Sequence, residues 1–170
     1  FITATDLQNR ILSQHFSKYT HDNPLIRTIP VGSLNKLIHP EKKRQPYSMI
    51  TASRLAKEKH VYWIAKAVVK AKKEIPKLTF DIYGQGGEKD KIEQIVYENN
   101  AQDYITLKGH VNLQNVYSKY ELFVSASQSE GFGLTLMEAV GSGLGMIGFN
   151  VNYGNPTFIR NSENGYLMSE

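Results

Sequence analysis

The chain has 170 residues, of which 41% are hydrophobic and 21% charged, a balance that suits one folded domain and not a disordered segment. It has no cysteine, which excludes disulfide frameworks, zinc ribbons and thiol catalysis and fits a reducing, cytoplasmic setting. Net charge is +4, from 20 Lys and Arg against 16 Asp and Glu, too small an excess to argue for nucleic acid. No apolar run approaches the roughly 20 residues that span a bilayer, and the opening residues lack a signal-peptide pattern.

Phe1-Ile2-Thr3-Ala4-Thr5 reads as the end of a strand. Leu7, Ile11 and Leu12 then recur at helical spacing, with Thr5 or Asp6 as the cap. His21-Asp22-Asn23-Pro24 reads as a turn, and Ile26 to Val31 as a strand that Pro30 ends or confines to an edge. His39 to Pro46 is charged and flanked by prolines, so a loop or linker with solvated charges is expected. Both ends look cut from a longer protein. Residues 1–47 are expected to hold the end of a preceding strand and helix plus an interdomain connection, and 48–170 one domain.

From Ser48 a regular alternation begins. Strands are expected at Ser48–Ala52, Leu78–Tyr83, Ile105–Gly109, Leu122–Ala126 and Gly145–Phe149. Between them fall an amphipathic helix from Lys57 to Lys73, with Val61, Ile64, Ala65 and Val68 on one face, and a helix from Lys89 to Asn99, with Ile92, Ile95 and Val96 inward. A short helix capped by Asn112 and running to Tyr120, and a helix from Phe132 to Gly141, are expected next, then a last short helix and strand. The pattern predicts an α/β fold: parallel βαβ units in a Rossmann-like sheet with helices on both faces. Ligands of such sheets sit beyond the carboxyl ends of the strands.

Gly84-Gln85-Gly86-Gly87 follows a strand but has Lys89 where a dinucleotide fingerprint needs its third glycine, and no P-loop occurs. Those glycines serve either a tight turn or contact with a ligand. The richest segment is Ser127 to Gly143. Glu138 lies in an almost wholly apolar helix, where an unpartnered carboxylate is costly. Gly131 and Gly133 clear the approach to the helix amino terminus, whose free amides favour an anion. Carboxylates beside an anion site make sense if they accept hydrogen bonds from neutral hydroxyls, as of a vicinal diol. The ligand so described is a phosphorylated sugar. The competing reading pairs Glu138 with a core arginine and leaves Glu130 a solvated loop charge. Arg54, at the end of a buried strand, and Lys59, five residues on, would neutralise a diphosphate.

Arg54 and Lys59 at this spacing, Tyr83-Gly84-Gln85-Gly86, Leu107-Lys108-Gly109-His110, and Glu130 with Glu138 as E-x7-E together resemble the carboxyl-terminal, donor-binding domain of glycosyltransferase family 4. That family comprises retaining enzymes with two Rossmann-like domains, the GT-B class. Ser129 to Gly143, with Tyr153-Gly154-Asn155, is similar to the branch that adds N-acetylglucosamine to Ser and Thr of serine-rich adhesins, and to relatives in teichoic-acid glycosylation. Ser53 and Gly145 depart from the family's usual Gly and Pro.

The resemblance implies a UDP-sugar donor and no required metal or cofactor. Arg54 and Lys59 would bind the diphosphate, Glu138 the ribose hydroxyls and Glu130 the transferred sugar. Amides of Gly131, Phe132, Gly133, Leu134 and Thr135 would meet the β-phosphate and sugar, and the backbone of Lys108, Gly109 and His110, with Gly84 nearby, the uracil. It further implies an amino-terminal acceptor domain beyond this chain, a homologous stabilising subunit, a serine-rich adhesin as acceptor, and peripheral membrane association of the whole protein. His60 and Trp63 are expected to be surface or packing residues. The alternatives are a teichoic-acid-type UDP-glucose transferase and a non-catalytic nucleotide-sugar-binding subunit.

Overall fold

The computed structural model describes residues 2–19, 25–29, 44–152 and 154–169. The turn expected at His21–Pro24, the end of the strand at Pro30 and Val31, most of the His39–Pro46 loop, and Tyr153 lie outside them.

At the amino terminus, β1 (Ile2–Thr3), α1 (Asp6–Tyr19) and β2 (Arg27–Thr28) form a βαβ unit whose two strands pair in parallel in a sheet of their own. Thr5 is the cap: its Oγ1 accepts the Gln8 N–H at 3.1 Å, and Gln8 Oε1 accepts the N–H groups of Ala4 and Thr5 at 3.0 and 3.2 Å. This reciprocal pairing satisfies amides that the helix leaves without partners.

The remaining elements are β3 (Ser48–Ala52), α2 (Val61–Ala71), β4 (Thr79–Tyr83), α3 (Lys89–Glu98), β5 (Ile105–Gly109), β6 (Leu122–Ser125), α4 (Leu134–Gly141), β7 (Gly145–Phe149), α5 (Asn155–Phe158) and β8 (Gly165–Met168). The six strands pair in the order β5-β4-β3-β6-β7-β8, all parallel. After β5 the chain crosses back to place β6 beside β3. The connections from β3 and from β6 then run in opposite directions, so a crevice opens at the carboxyl ends of these two strands.

Strand alternation feeds two cores. Phe80, Ile82 and Val124 meet Ile64 and Val68 of α2 and Ile92 and Ile95 of α3 on one face. Ile50, Phe123 and Met146 meet Tyr117, Leu136 of α4 and Ile159 on the other. Beside α2 the first face continues over β6 to β8 as an apolar trough of about 390 Å³, floored by Val124, Ile147 and Phe149 and walled by Trp63 and Ala67.

Three expected helices differ. Lys57–Lys73 is broken: Lys57–Lys59 is a 3-10 turn, His60 is left-handed (φ 45°, ψ 35°), and α2 starts at Val61. Asn112 caps no α-helix; its Oδ1 accepts the Gln114 N–H at 3.0 Å, and only a 3-10 turn at Tyr117–Lys119 follows. The helix expected from Phe132 starts at Leu134, because Gly133 is left-handed at φ 87°. Nor is α4 buried all round, since Leu134 is half exposed.

Candidate active site

The β3 side of the crevice is fixed by backbone. Ser53 N–H donates to Tyr83 O at 3.1 Å, Leu55 N–H to Gln85 O at 2.8 Å and Gly84 N–H to Gly109 O at 2.8 Å. Gly84 has φ 136°, and a Cβ there would lie 1.8 Å from the Ser53 carbonyl oxygen. No other residue fits. The tight-turn reading of these glycines therefore holds, and Gly84 also lines a cleft of about 330 Å³ with Arg54, Tyr83, His110, Leu113 and Thr135. Of the expected uracil-bordering residues, Gly84 and His110 thus meet at one cleft. The Lys108 side chain turns elsewhere, to Asp81 at 3.5 Å.

The β6–α4 loop forms the opposite side. Lys59 Nζ donates to Glu130 Oε1 at 2.5 Å, with both side chains largely buried, and Ser127 Oγ donates to the same oxygen at 3.3 Å. Glu130 is therefore not a solvated loop charge. Arg54 pairs at 3.0 Å with Glu58, and its own side chain is 77% exposed. Each expected diphosphate cation is thus paired with a carboxylate. The Lys59–Glu130 pair is the tighter, because desolvation strengthens its attraction, while the exposed Arg54 pair is screened.

Glu138 is partnered by no arginine. The Tyr117 hydroxyl donates to its Oε2 at 3.0 Å. Tyr117 is 2% exposed, and burial, with the charge and hydrogen bond of Glu138 added, pushes its phenol far above the usual tyrosine range. One acceptor position of the carboxylate is thereby used. Sequence reasoning missed Tyr117, because its neighbours Asn115, Ser118 and Lys119 are polar and give no sign that its hydroxyl is buried and needs a partner.

The first hydrogen bond of α4 runs from Met137 N–H to Gly133 O at 3.0 Å, so the amides of Leu134, Thr135 and Leu136 have no acceptor within the helix. Ahead of it, Gly131 O accepts from Gln8 Nε2 of α1 at 2.9 Å, Gly154 N–H donates to Glu130 O at 2.9 Å, and Phe132 packs edge-on to Phe158 at 5.3 Å. His60 and Trp63 do pack together, stacked at 3.9 Å, but His60 also hydrogen-bonds Gln128 across the crevice at 2.6 Å. Among the described residues no group of three His, Asp or Glu could hold a metal ion, and no helix is long and apolar enough to cross a membrane.

The arrangement offers two cations, an amide-rich helix start and two carboxylates about one crevice. The chain and its fold have known relatives. Residues 35–170 match the family model of glycosyl transferases group 1. The GtfA subunit of a UDP-N-acetylglucosamine–peptide N-acetylglucosaminyltransferase from Streptococcus pneumoniae is 58% identical over 168 residues, covering 99% of this chain and 33% of that protein. A crystal structure of the pneumococcal O-GlcNAc transferase GtfA in complex with UDP and GlcNAc superposes with a TM-score of 0.95 at 57% identity, covering 100% of this chain and 34% of that one. A crystal structure of the GtfA/B complex gives 0.94 at 58%, over 100% of this chain and 34% of that one. The chain spans about a third of the length of the curated relatives it matches. Its parallel sheet, its crevice and the extent of these matches make it a member of the glycosyl transferases of group 1.

Proposed function

We propose that this chain is the donor-binding, carboxyl-terminal domain of a retaining glycosyltransferase of family 4 with the GT-B arrangement. Its donor is UDP-N-acetylglucosamine and its acceptor the Ser and Thr hydroxyls of a serine-rich protein. The observation that carries this reading is the placement of Arg54 and Lys59 after β3, opposite Glu130 and Glu138 after β6. The names of the pneumococcal relative and of its UDP and GlcNAc complex support the choice of donor. The GtfA/B complex supports a partner subunit.

In this reading the diphosphate draws Arg54 and Lys59 from Glu58 and Glu130. The amides of Leu134 to Leu136 add donors where charge grows on the departing phosphate, the role a metal plays elsewhere. Glu138 Oε1 accepts from a ribose hydroxyl while Tyr117 keeps Oε2. Glu130, freed from Lys59, accepts from the transferred sugar. The reaction breaks the bond from the anomeric carbon to the β-phosphate oxygen, and the acceptor oxygen forms a new bond on the same face, its proton leaving with UDP.

Calorimetry with UDP, UDP-N-acetylglucosamine and NAD tests the reading. UDP and the UDP-sugar are expected to bind, and NAD to bind more weakly. Glu138→Gln is expected to weaken UDP by about 1–3 kcal/mol, the scale of a hydrogen bond to a charged group. Glu130→Gln is expected to spare UDP and impair transfer. NAD binding as tightly as UDP would overturn the donor assignment, and equal loss of UDP in both variants the division of roles. An intact protein that binds UDP-sugar without transferring it is the non-catalytic subunit.

A further inference from the structure

In the reading above the donor draws Lys59 from Glu130, and the 2.5 Å pair they form is then lost. That pair joins the 3-10 turn after β3 to the loop after β6, so its loss removes one of the contacts between those two segments, while the Glu130 backbone stays bonded to Gly154 and Asn152. Two other contacts join the same segments. Gln128 N–H donates to Glu58 O at 3.2 Å, and His60 Nε2 lies 2.6 Å from Gln128 Oε1. With the amide oxygen facing the ring, Nε2 carries the proton and His60 is the donor.

His60 is itself tightly held. Its backbone is left-handed (φ 45°, ψ 35°), a region that non-glycine residues occupy only where the surroundings enforce it. Its ring stacks on Trp63 at 3.9 Å and 11°, and Trp63 meets Phe149 edge-on at 6.1 Å. The ring, clamped on one side by Trp63, thus presents Nε2 to the loop opposite.

We propose that His60 is a positioning residue: through Gln128 it holds the β6–α4 loop against the 3-10 turn while Lys59 and Glu130 exchange each other for the donor. This rests on the roles proposed above for those two residues. Glu130 then stays within reach of the transferred sugar after losing its own ion pair. The bond from Gln128 N–H to Glu58 O spans the same gap but leaves the Gln128 side chain free to swing; His60 fixes that side chain.

The test uses four forms of the natural polypeptide that carries this chain: unsubstituted, His60→Gly, Gln128→Leu and the double variant. Glycine keeps the left-handed backbone without strain. Each single variant is expected to lower kcat about tenfold, the scale of one hydrogen bond, with UDP affinity changed no more than about twofold. The double variant is expected to lose no more than either single one, because both remove the same contact. Unchanged kcat in either single variant, losses that multiply in the double variant, or UDP affinity falling in step with kcat would overturn the proposal. Melting temperatures of the same four proteins give a second reading. Absence of sugar transfer by the unsubstituted protein would count against the proposed reaction; additive effects on melting would count against the His60–Gln128 link itself, and coupled effects would support it.

Discussion

Tyr117 sets how much of Glu138 a ligand can use. By donating to Oε2 it restrains the carboxylate's rotation and uses one of its acceptor positions, while Oε1 and the second lone pair of Oε2 can still accept from hydroxyls. Tyr117→Phe is expected to weaken UDP by about 1 kcal/mol, since a freed carboxylate must be re-ordered on binding. The same variant probes pH. The folded Tyr117 holds its proton well above the unfolded value of about 10. Its contribution to stability is therefore complete below that pH. Above it the unfolded chain ionises first, and stability falls by about 1.4 kcal/mol per pH unit for this tyrosine. Tyr120, buried and donating to Asp81 at 2.5 Å, is shifted in the same direction by burial first and that hydrogen bond second. Urea melts at rising alkaline pH should show a shallower decline for Tyr117→Phe than for the unsubstituted chain. Parallel declines would show that the phenol titrates normally.

Among the elements, β3, β5 and β7 begin and end where apolar alternation and flanking turn residues place them. Their boundaries are local properties, and local signals reveal them. The break at His60 carried no such signal, because its left-handed backbone belongs to a histidine and is enforced by Trp63 and by Gln128, 68 positions away. For the site, Arg54, Lys59, Glu130 and Glu138 were legible as residue types at strand ends and in an apolar helix. Their partners were not, since Tyr117 and Gln128 reach them only through the fold. Arg44 is the clearest reversal. Expected as a solvated linker charge, it donates to Gly143 O at 2.6 Å and to Ser142 O at 2.8 Å, just past the end of α4. A guanidinium there satisfies carbonyls the helix cannot and complements its dipole. Arg44→Met, which keeps most of the stem, is expected to cost about 1–3 kcal/mol in a urea melt. An unmoved midpoint would show that the contact contributes nothing.

At the scale of the molecule, every group assigned to the donor lies on the carboxyl edge of one sheet, and Gln8 of α1 reaches that edge at Gly131 O. The 170-residue chain is expected to bind UDP-N-acetylglucosamine yet glycosylate a serine-rich peptide far more slowly than the natural polypeptide that carries it. Positioning of a second reactant can supply about 7–11 kcal/mol of a barrier, and the described residues form walls for the donor alone. Mass spectrometry of the peptide checks this, and equal rates would place the acceptor site within these residues. The trough beside α2 bears on how such experiments are interpreted. Ile147 and Phe149 on its floor are only partly buried. Apolar dyes that ordinarily report a loosened core are expected to find a seat there on the folded chain, so their fluorescence is to be compared with a native baseline before it is taken as loss of tertiary packing.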